Sequence, residues 1–392
     1  MPSLVTGPLW GEHLPDALLF AIALAATVLC LTWLGIKAGL HRRNLRAIPV
    51  RIHVTGTRGK STTTRLIAAG LRAGGIRVLA KATGSQPRLI LPDGSEEDWP
   101  RRGPASIREQ VRLFSLAHRL KVDAVVVECM AIRPEMIWAS EQYLVRATMA
   151  VITNARADHY EDVGENPAAM AEALRWAAPE NGNLVVDAQA ATNELRQWAA
   201  SRGTIVGAVD TSGLGAMEAN RTLALAVCAA HGVSAEIAGA AMDKAPPDPG
   251  LYFERDLSVA GKSVRFANAF ACNDIDSLAL IWEKAKDGTR PVVLLNARAD
   301  RPLRSKHFLE FLAAQVPRPI LFIVGDRLAA RLARRAGFQS DSIRRLRAGT
   351  AEAAIVELAG PAESGAMIWG IGNYYGFGAR LVAQWRDREL PC

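Results

Sequence analysis

The stretch Arg51-Ile52-His53-Val54-Thr55-Gly56-Thr57-Arg58-Gly59-Lys60-Ser61-Thr62-Thr63-Thr64-Arg65 restricts the fold more than any other. Ile52 to Val54 is a short apolar run and reads as a buried strand; a tight glycine turn follows. Thr62 to Arg72 then has helical spacing, with Leu66, Ile67, Ala69 and Leu71 on an inner face. Strand, glycine turn, Lys-Ser and helix form the layout of a phosphate-binding loop. Gly56 and Gly59 let the backbone curl with its N–H groups inward. Lys60 brings a positive charge to β/γ-phosphates, Ser61 offers a hydroxyl to Mg²⁺, and the helix N-terminus adds partial positive charge. The longer pattern G-x-x-x-x-G-K-[ST] fails, because its first glycine would fall on Val54. The competing reading, a glycine turn with a chance Lys-Ser, does not account for the strand before it and the helix after it.

At about 100–200 residues per domain, a chain of 392 residues suggests two or three domains. Its 47 basic residues against 39 acidic ones give a charge of +8, which suits an acidic substrate or an anionic surface. No basic stripe interleaved with aromatics occurs, so nucleic acid is not an expected partner. Cys30, Cys129, Cys228, Cys272 and Cys392 are far apart, odd in number and without a C-x-x-C pair. A disulfide framework or zinc site is therefore not expected, and Cys129 and Cys228 read as buried small hydrophobes.

Ala17 to Ile36 contains no charge. As a helix it rises about 30 Å, the thickness of a bilayer's hydrocarbon core. A buried core helix would show a polar face, and a signal peptide would begin with basic residues, whereas residues 1–16 hold Glu12 and Asp16 and no Lys or Arg. The positives follow at Lys37, Arg42, Arg43, Arg46 and Arg51. The positive-inside rule then predicts a single-pass anchor with the remainder of the chain in the cytoplasm. The same cluster is able to touch anionic headgroups.

Arg77 to Ala80 reads as a strand leading to the polar turn Lys81-Ala82-Thr83-Gly84-Ser85-Gln86-Pro87-Arg88, where Thr83 or Ser85 could assist a metal or simply belong to a loop. Leu89 to Gly94 reads as a small hairpin. Ser106 to Leu120 is helical, with Ser106 and Glu109 spaced as a capping box. Val122 to Glu128 reads as a central parallel strand buried on both faces. Its terminal Glu128 falls on the edge where open α/β sheets bind ligands, a candidate for Mg²⁺; a solvent-exposed or salt-bridged Glu is the alternative. Ala147 to Thr153 is another strand, followed by Asn154, Asp158 and His159, a polar cluster suited to a second metal or to phosphate.

Asn183 to Asp187 and Gly203 to Val206 read as strands, and Glu218 to His231 as a helix stopped by Gly232. Ala245-Pro246-Pro247-Asp248-Pro249-Gly250 is dense in breakers and reads as a linker. Beyond it, Leu251 to Val264 reads as a hairpin turning at Ala260-Gly261. Strands then end at Asn296-Ala297-Arg298-Ala299-Asp300-Arg301, at Gly325-Asp326 and at Gly370-Ile371-Gly372-Asn373, as in the βα units of a smaller parallel sheet. The last motif is too near the C-terminus to be a dinucleotide fingerprint.

Taken in order, Gly56-Thr57-Arg58-Gly59-Lys60-Ser61, the Glu128 strand and Asn154-x-x-x-Asp158-His159 resemble Mur ligases and folylpolyglutamate synthetases. Val54 to Ser61, Lys81-Ala82-Thr83-Gly84, Asn268-Ala269-Phe270-Ala271-Cys272-Asn273-Asp274, the Gly370-Ile371-Gly372-Asn373 end and the apolar N-terminus are more similar still to the PgsB/CapB type, the ligase subunit of poly-γ-glutamate synthases. The resemblance implies an α/β fold: a transmembrane anchor over residues 1–45, a P-loop central domain with a parallel sheet over 46–245, and a smaller α/β domain over 251–392. It implies an ATP-dependent amide ligase that extends poly-γ-glutamate through an acyl phosphate at the cytoplasmic face. Glutamate, the polymer, and membrane subunits of the PgsC/CapC and PgsA/CapA types would be its partners.

Carried over by position, the resemblance gives Thr57, Arg58, Gly59, Lys60, Ser61 and Thr62 to the ATP phosphates. Ser61, Glu128 and Thr83 go to Mg²⁺ or Mn²⁺, and His159 to a second metal and the acyl phosphate. Asn220 goes to adenine, and Arg298 and Asp300 to the nucleotide from the closing C-terminal domain. Lys60, Glu128, His159 and Arg298 form the implied catalytic set. Two departures stand out. No lysine between Asp158 and Lys244 can become the carbamylated metal bridge of those ligases, so a second metal must be held differently. The Ala-His-Asn-Pro segment reads Ala271-Cys272-Asn273-Asp274. Two other readings are a transport-coupled ATPase subunit powering polymer export, and a soluble folate or peptidoglycan ligase.

Overall fold

Strand β1 (Val50–Thr55) lies at the centre of an eight-stranded sheet, and both neighbours run parallel to it. The structure, a computed structural model, describes residues 16–84, 87–101, 105–155, 167–248, 250–272, 275–284 and 288–386. The other strands of this sheet are β2 (Val78–Ala82), β3 (Arg88–Ile90), β4 (Glu96–Asp98), β5 (Ala124–Glu128), β6 (Met149–Ile152), β7 (Asn183–Asp187) and β8 (Ile205–Val209). Their order is β4-β3-β2-β5-β1-β6-β7-β8. β3 alone runs against the others, pairing antiparallel with β2 and, through the hairpin expected around Pro92-Asp93-Gly94, with β4. Every residue of β5 is buried, which explains its β-branched run: helices cover both faces. On one face, helix α2 (Lys60–Ala73) and the helices Ala216–Ala230 and Ala235–Asp243 pack Ile67, Leu71, Leu223 and Val227 onto Ile52 and Val126. On the other, helix α3 (Glu109–Arg119) packs Leu113 and Phe114 onto Leu79 and Val125.

The register places Glu128 beside Val54, at the last turn of strand before the glycine loop. The switch point is set by topology: the chain leaves β1 for β2 on one side of it, and later crosses from β5 past β1 to β6 on the other.

A second sheet has the order β13-β12-β11-β14-β10-β9. Its strands are β9 (Glu254–Val259), β10 (Lys262–Ala269), β11 (Val292–Ala297), β12 (Ile320–Gly325), β13 (Ile343–Arg345) and β14 (Met367–Gly372). All are parallel except β9, which forms the hairpin with β10. That hairpin turns at Ala260-Gly261 with φ of 49° and 78°, the pair of positive angles that a two-residue turn demands. Strand β13 carried no alternation and was not expected. The glycines of Gly370-Ile371-Gly372 serve packing. A Cβ on Gly370 would fall 2.4 Å from the Phe270 ring, and one on Gly372 would fall 2.6 Å from the Asn296 carbonyl oxygen.

The N-terminal helix α1 (Asp16–Arg46) is longer than the Ala17–Ile36 run, and it is long and apolar enough to cross a membrane. Its first turns are exposed throughout, while His41 and Leu45 are buried. The extension follows from packing. Leu45 sits among Leu113, Phe114 and Ala117, and His41 meets the Phe114 ring edge-on with centroids 6.0 Å apart. The His41 ring Nε2 also lies 3.0 Å from the Leu144 carbonyl oxygen. The capping box is only partly formed: α3 begins at Glu109, whose carboxylate is drawn instead to Lys81 and Arg101 at 2.5 and 2.8 Å.

Candidate active site

Gly56 and Gly59 adopt φ of 122° and 78°, the conformations that let the chain reverse between β1 and α2. The space around them is equally restrictive. A Cβ on Gly56 would fall 2.2 Å from Thr153 Oγ1, and one on Gly59 would fall 2.1 Å from Asn220 Oδ1. The end of β6 braces the loop from behind. Thr57 donates its hydroxyl to Asn154 Oδ1 at 2.5 Å, and the Arg58 backbone N–H donates to the same atom at 3.1 Å. Thr153 Oγ1 and Asn154 Nδ2 donate to the Arg58 carbonyl at 2.5 and 3.1 Å. Lys60 curls over the loop, its Nζ donating to the carbonyls of Gly56 and Thr57 at 2.7 and 3.1 Å.

Ser61 opens α2 and donates its hydroxyl to Glu128 Oε2 at 2.8 Å; the Thr83 backbone N–H donates to the same oxygen. Three elements thus converge on one carboxylate, because β2, β5 and β1 are neighbours and end at the same edge. Glu128 is 2% exposed. Burial pushes its carboxyl above the usual range, against the opposing pull of Lys60, Thr83 and Ser61, and the Asp248 charge adds to the rise. A buried carboxylate beside a hydroxyl offers hard oxygen donors, the set that suits Mg²⁺ or Mn²⁺. Gly84 stands against them: a Cβ there would fall 2.2 Å from Ser61 Oγ.

Beneath this floor lies a second polar group. His53 Nδ1 donates to Glu141 Oε2 at 2.9 Å, both side chains being almost wholly buried. Burial alone would lower the His53 pKa, but Cys129 and Glu141 raise it to about 10. Burial acts upward on the Cys129 thiol, and the His53 charge brings it below its ordinary value. Cys129 follows Glu128 and is buried in an apolar cluster with Ile137 and Ile152, as expected, while also bordering the cleft.

The cleft, about 450 Å³, opens between the carboxyl edges of the two sheets. Thr57, Arg58, Gly59, Lys60, Ser61, Thr62, Thr83 and Glu128 line one side; Arg298, Arg301, Arg304 and Tyr375 line the other. Asn220 stands behind the loop against Gly59, and Asp300 pairs with Arg298 at 2.7 Å, neither forming part of the lining. Asp158 and His159 lie outside the described residues, as do Ser85, Asn273 and Asp274. Among the described residues no group of three His, Cys, Asp or Glu side chains is gathered for a metal. Reasoning from sequence passed over Asp248, treated as part of a linker. Its carboxylate accepts from the Gly250 N–H at 2.7 Å and lies 3.8 Å from Arg65 Nε, inside the cleft wall. Arg101 was also passed over; it lines the cleft from the Lys81–Glu109 network. Five arginines and Lys60 against Glu128 and Asp248 make the cleft a site for polyanions.

Residues 54–221 match the Mur ligase middle domain, and residues 255–388 match the poly-gamma-glutamate synthase CapB C-terminal domain. The chain is 30% identical over 368 residues to PGA synthase CapB of Bacillus subtilis (strain 168), covering 89% of this chain and 93% of that one. It is 32% identical over 306 residues to the capsule biosynthesis protein CapB of Bacillus anthracis, covering 74% and 66%. Among solved structures, it is similar to a bifunctional folylpolyglutamate synthase/dihydrofolate synthase from Yersinia pestis complexed with AMPPNP and Mn ion. The TM-score is 0.64 at 17% identity, over 89% of this chain and 92% of that one. The Mycobacterium tuberculosis folylpolyglutamate synthase complexed with ADP and AMPPCP gives a TM-score of 0.65 at 17% identity, over 92% and 96%.

Proposed function

Because the chain belongs to the CapB family of poly-γ-glutamate synthases, ATP-dependent ligases, we propose that its cleft extends poly-γ-glutamate through an acyl phosphate at the cytoplasmic face of a membrane. One observation carries the reading. The glycine loop with Lys60, the Ser61–Glu128 pair and the arginines beyond β11 face one another across a single cleft. A solved structure of similar fold complexed with AMPPNP and Mn ion supports ATP and a divalent cation as ligands. Another, with Mn, AMPPNP and L-glutamate bound, supports glutamate.

Three units share the work: residues 1–45 anchor, 46–245 bind ATP, and 251–392 close over it. The loop N–H groups from Thr57 to Thr62 and the Lys60 ammonium hold the triphosphate. Ser61 and Glu128, with Thr83 beside them, would hold Mg²⁺, which when bound neutralises phosphate charge. Asn220 lies on the adenine side, reached across Gly59, and Arg298, oriented by Asp300, reaches the nucleotide from the second sheet. His159 is the remaining assignment, at the acyl phosphate.

An oxygen of the polymer's terminal carboxylate attacks the γ-phosphorus, and ADP departs. The amine of an incoming glutamate then attacks the acyl carbon; phosphate leaves with the acyl oxygen, and one proton passes to solvent. Both steps need alignment and charge neutralisation more than covalent help from the protein, and arginines around a desolvated site supply these. The surplus of basic side chains accommodates the anionic chain. Membrane subunits of the PgsC/CapC and PgsA/CapA types are the partners that fit an anchored enzyme.

Purified membranes carrying Lys60→Ala should lose glutamate-dependent ADP release. Unchanged release removes the loop from the mechanism. ADP release without matching new amide bonds would instead support a transport ATPase.

A further inference from the structure

At the foot of α1, on the side of the central sheet away from the cleft, a recess of about 500 Å³ is lined by Arg42, Arg46, Arg51 and Arg146. Arg51 is committed to the fold: its Nη1 donates to the carbonyls of Leu45 and Ile48 at 3.3 and 2.7 Å, and its Nε donates to the Arg146 carbonyl at 2.8 Å. It thus caps the end of α1 and ties it to the Arg146 backbone. The side chains of Arg42, Arg46 and Arg146 have no ion pair or hydrogen bond among the described residues. Two carboxylates share the recess. Glu141 is spent on His53 and on the Ala147 N–H at 2.7 Å, and Glu180 is exposed at the rim.

Arg42, Arg46 and Arg146 outnumber the one uncommitted carboxylate, Glu180, and a fold tolerates such an excess of like charge where an anion binds. Arg146 is moreover held at φ 46°, a left-handed conformation that costs a non-glycine residue about 1–2 kcal/mol. It directly follows the π-helical turn Ser140–Val145, a kind of turn frequent at functional sites. We propose that this recess binds the headgroup phosphate of an anionic phospholipid. The proposal rests on the anchor reading given above.

Position selects lipid over other polyanions. Arg42 begins about 9 Å along the axis beyond Ile36, and side chains on a helix lean back toward its N-terminus. Its guanidinium therefore reaches back into the headgroup layer, about 5–8 Å deep on each side of the hydrocarbon. Lys37 Nζ lies 4.6 Å from the Trp33 ring centroid, an interfacial pairing one turn earlier. Tyr143, 61% exposed, adjoins Leu144, whose carbonyl meets His41 on α1. Trp33 and Tyr143, followed by three arginines with no ion pair or hydrogen bond among the described residues, match the order apolar core, interface, phosphate. Guanidinium forks suit phosphate oxygens bidentately.

The test uses the full chain in nanodiscs of phosphatidylcholine with and without phosphatidylglycerol, comparing native protein with Arg42→Ala/Arg146→Ala. Lipid retained after detergent exchange is identified by mass spectrometry. The native chain should retain phosphatidylglycerol in preference to phosphatidylcholine, and the double variant should retain it roughly fivefold less per arginine removed. Equal retention by both proteins, or no preference in the native chain, overturns the proposal. Displacement of the bound lipid by a γ-glutamyl oligomer at comparable concentration reassigns the recess to the polymer and also overturns it. Carbonate washing separates the underlying reading: a native chain released from both bilayers refutes the anchor itself. Unchanged melting temperature of the double variant shows that lost lipid is not lost fold.

Discussion

The Ser61 hydroxyl and the Glu128 carboxylate meet at 2.8 Å across 67 residues of chain, joining the start of α2 to the end of β5. The contact is a consequence of strand order. β1 and β5 are paired with Val54 opposite Glu128, so the residue ending one strand faces the helix that follows the other. Gly84, from the turn after β2, closes the third side.

Gly84→Ala should disturb this pair without disturbing the fold. Its Cβ would fall 2.2 Å from Ser61 Oγ, and the hydroxyl can escape by rotating away from Glu128. A hydrogen bond to a charged group is worth about 1.5–3 kcal/mol, so the apparent affinity for metal-ATP should fall about tenfold, with the melting temperature unchanged. A double-mutant cycle with Ser61→Ala checks the route. If the glycine acts through the hydroxyl, Gly84→Ala adds nothing to Ser61→Ala; additive losses mean that it acts elsewhere.

Glu128→Gln should separate stability from function. The carboxyl has a higher pKa in the folded chain than in the unfolded one, chiefly through burial. Folding therefore takes up a proton between those two values, and stability falls as pH rises through that window. The fold thus disfavours the ionised carboxylate relative to the unfolded chain. Glutamine keeps an oxygen for the Thr83 N–H and removes the buried charge. The metal-free variant should melt about 2–4 °C higher, the equivalent of about 1 kcal/mol, while losing metal-dependent ATP binding. A lower melting temperature in calorimetry would show that the charge stabilises the floor instead.

What made Glu128 visible from sequence was its place at the end of Ala124-Val125-Val126-Val127, a run that only a strand covered on both faces tolerates. The same logic found Asn154 after β6 and Arg298 after β11. Local pattern carried the glycine loop because strand, turn and helix are contiguous there. Asp248 had no such signal: it sits among prolines, and its role comes from Arg65, far away in sequence. Glu141 lies in a π-helical turn and Arg146 directly after it, a stretch that leaves no periodicity to read. The end of α1 was hidden for a different reason. Its last turns are polar to the eye, yet His41 and Leu45 are buried by tertiary packing against Phe114.

The His53–Glu141 pair predicts a pH dependence of the same sign as that of Glu128, but over a window fixed by the histidine. Cys129 and Glu141 overcome burial and raise the imidazole to about 10, above its ordinary 6.5. A raised cationic group contributes stability that is complete below the unfolded value and lost as pH climbs through the folded one. Melting temperature should therefore decline between about 6.5 and about 10, a range fixed by the two His53 values. His53→Gln should be less stable overall and should lack this decline. A native melting profile flat over that range, or an identical decline in the variant, would refute the assignment.

Asp248 offers a way to ask whether the linker takes part in turnover. Arg65 belongs to α2, the helix that begins with Lys60 and Ser61, and is 4% exposed. It is held on one side by Glu96 and approached on the other by Asp248 at 3.8 Å. Burial depresses the Arg65 pKa, and the Asp248 and Glu128 charges oppose that. The linker is thus tied electrostatically to α2, the helix that follows the glycine loop. Asp248→Asn keeps the hydrogen bond from the Gly250 N–H and deletes the charge. The loop itself is unaltered, so KM for ATP should stay within about twofold. The two sheets' facing groups would be held less firmly, and misalignment of this kind lowers kcat for amide formation by about tenfold. Glu96→Gln is the control: it weakens the same arginine from the side away from the cleft and should affect melting temperature more than kcat. A raised KM with unchanged kcat in Asp248→Asn would mean that the carboxylate acts on the nucleotide directly rather than through Arg65.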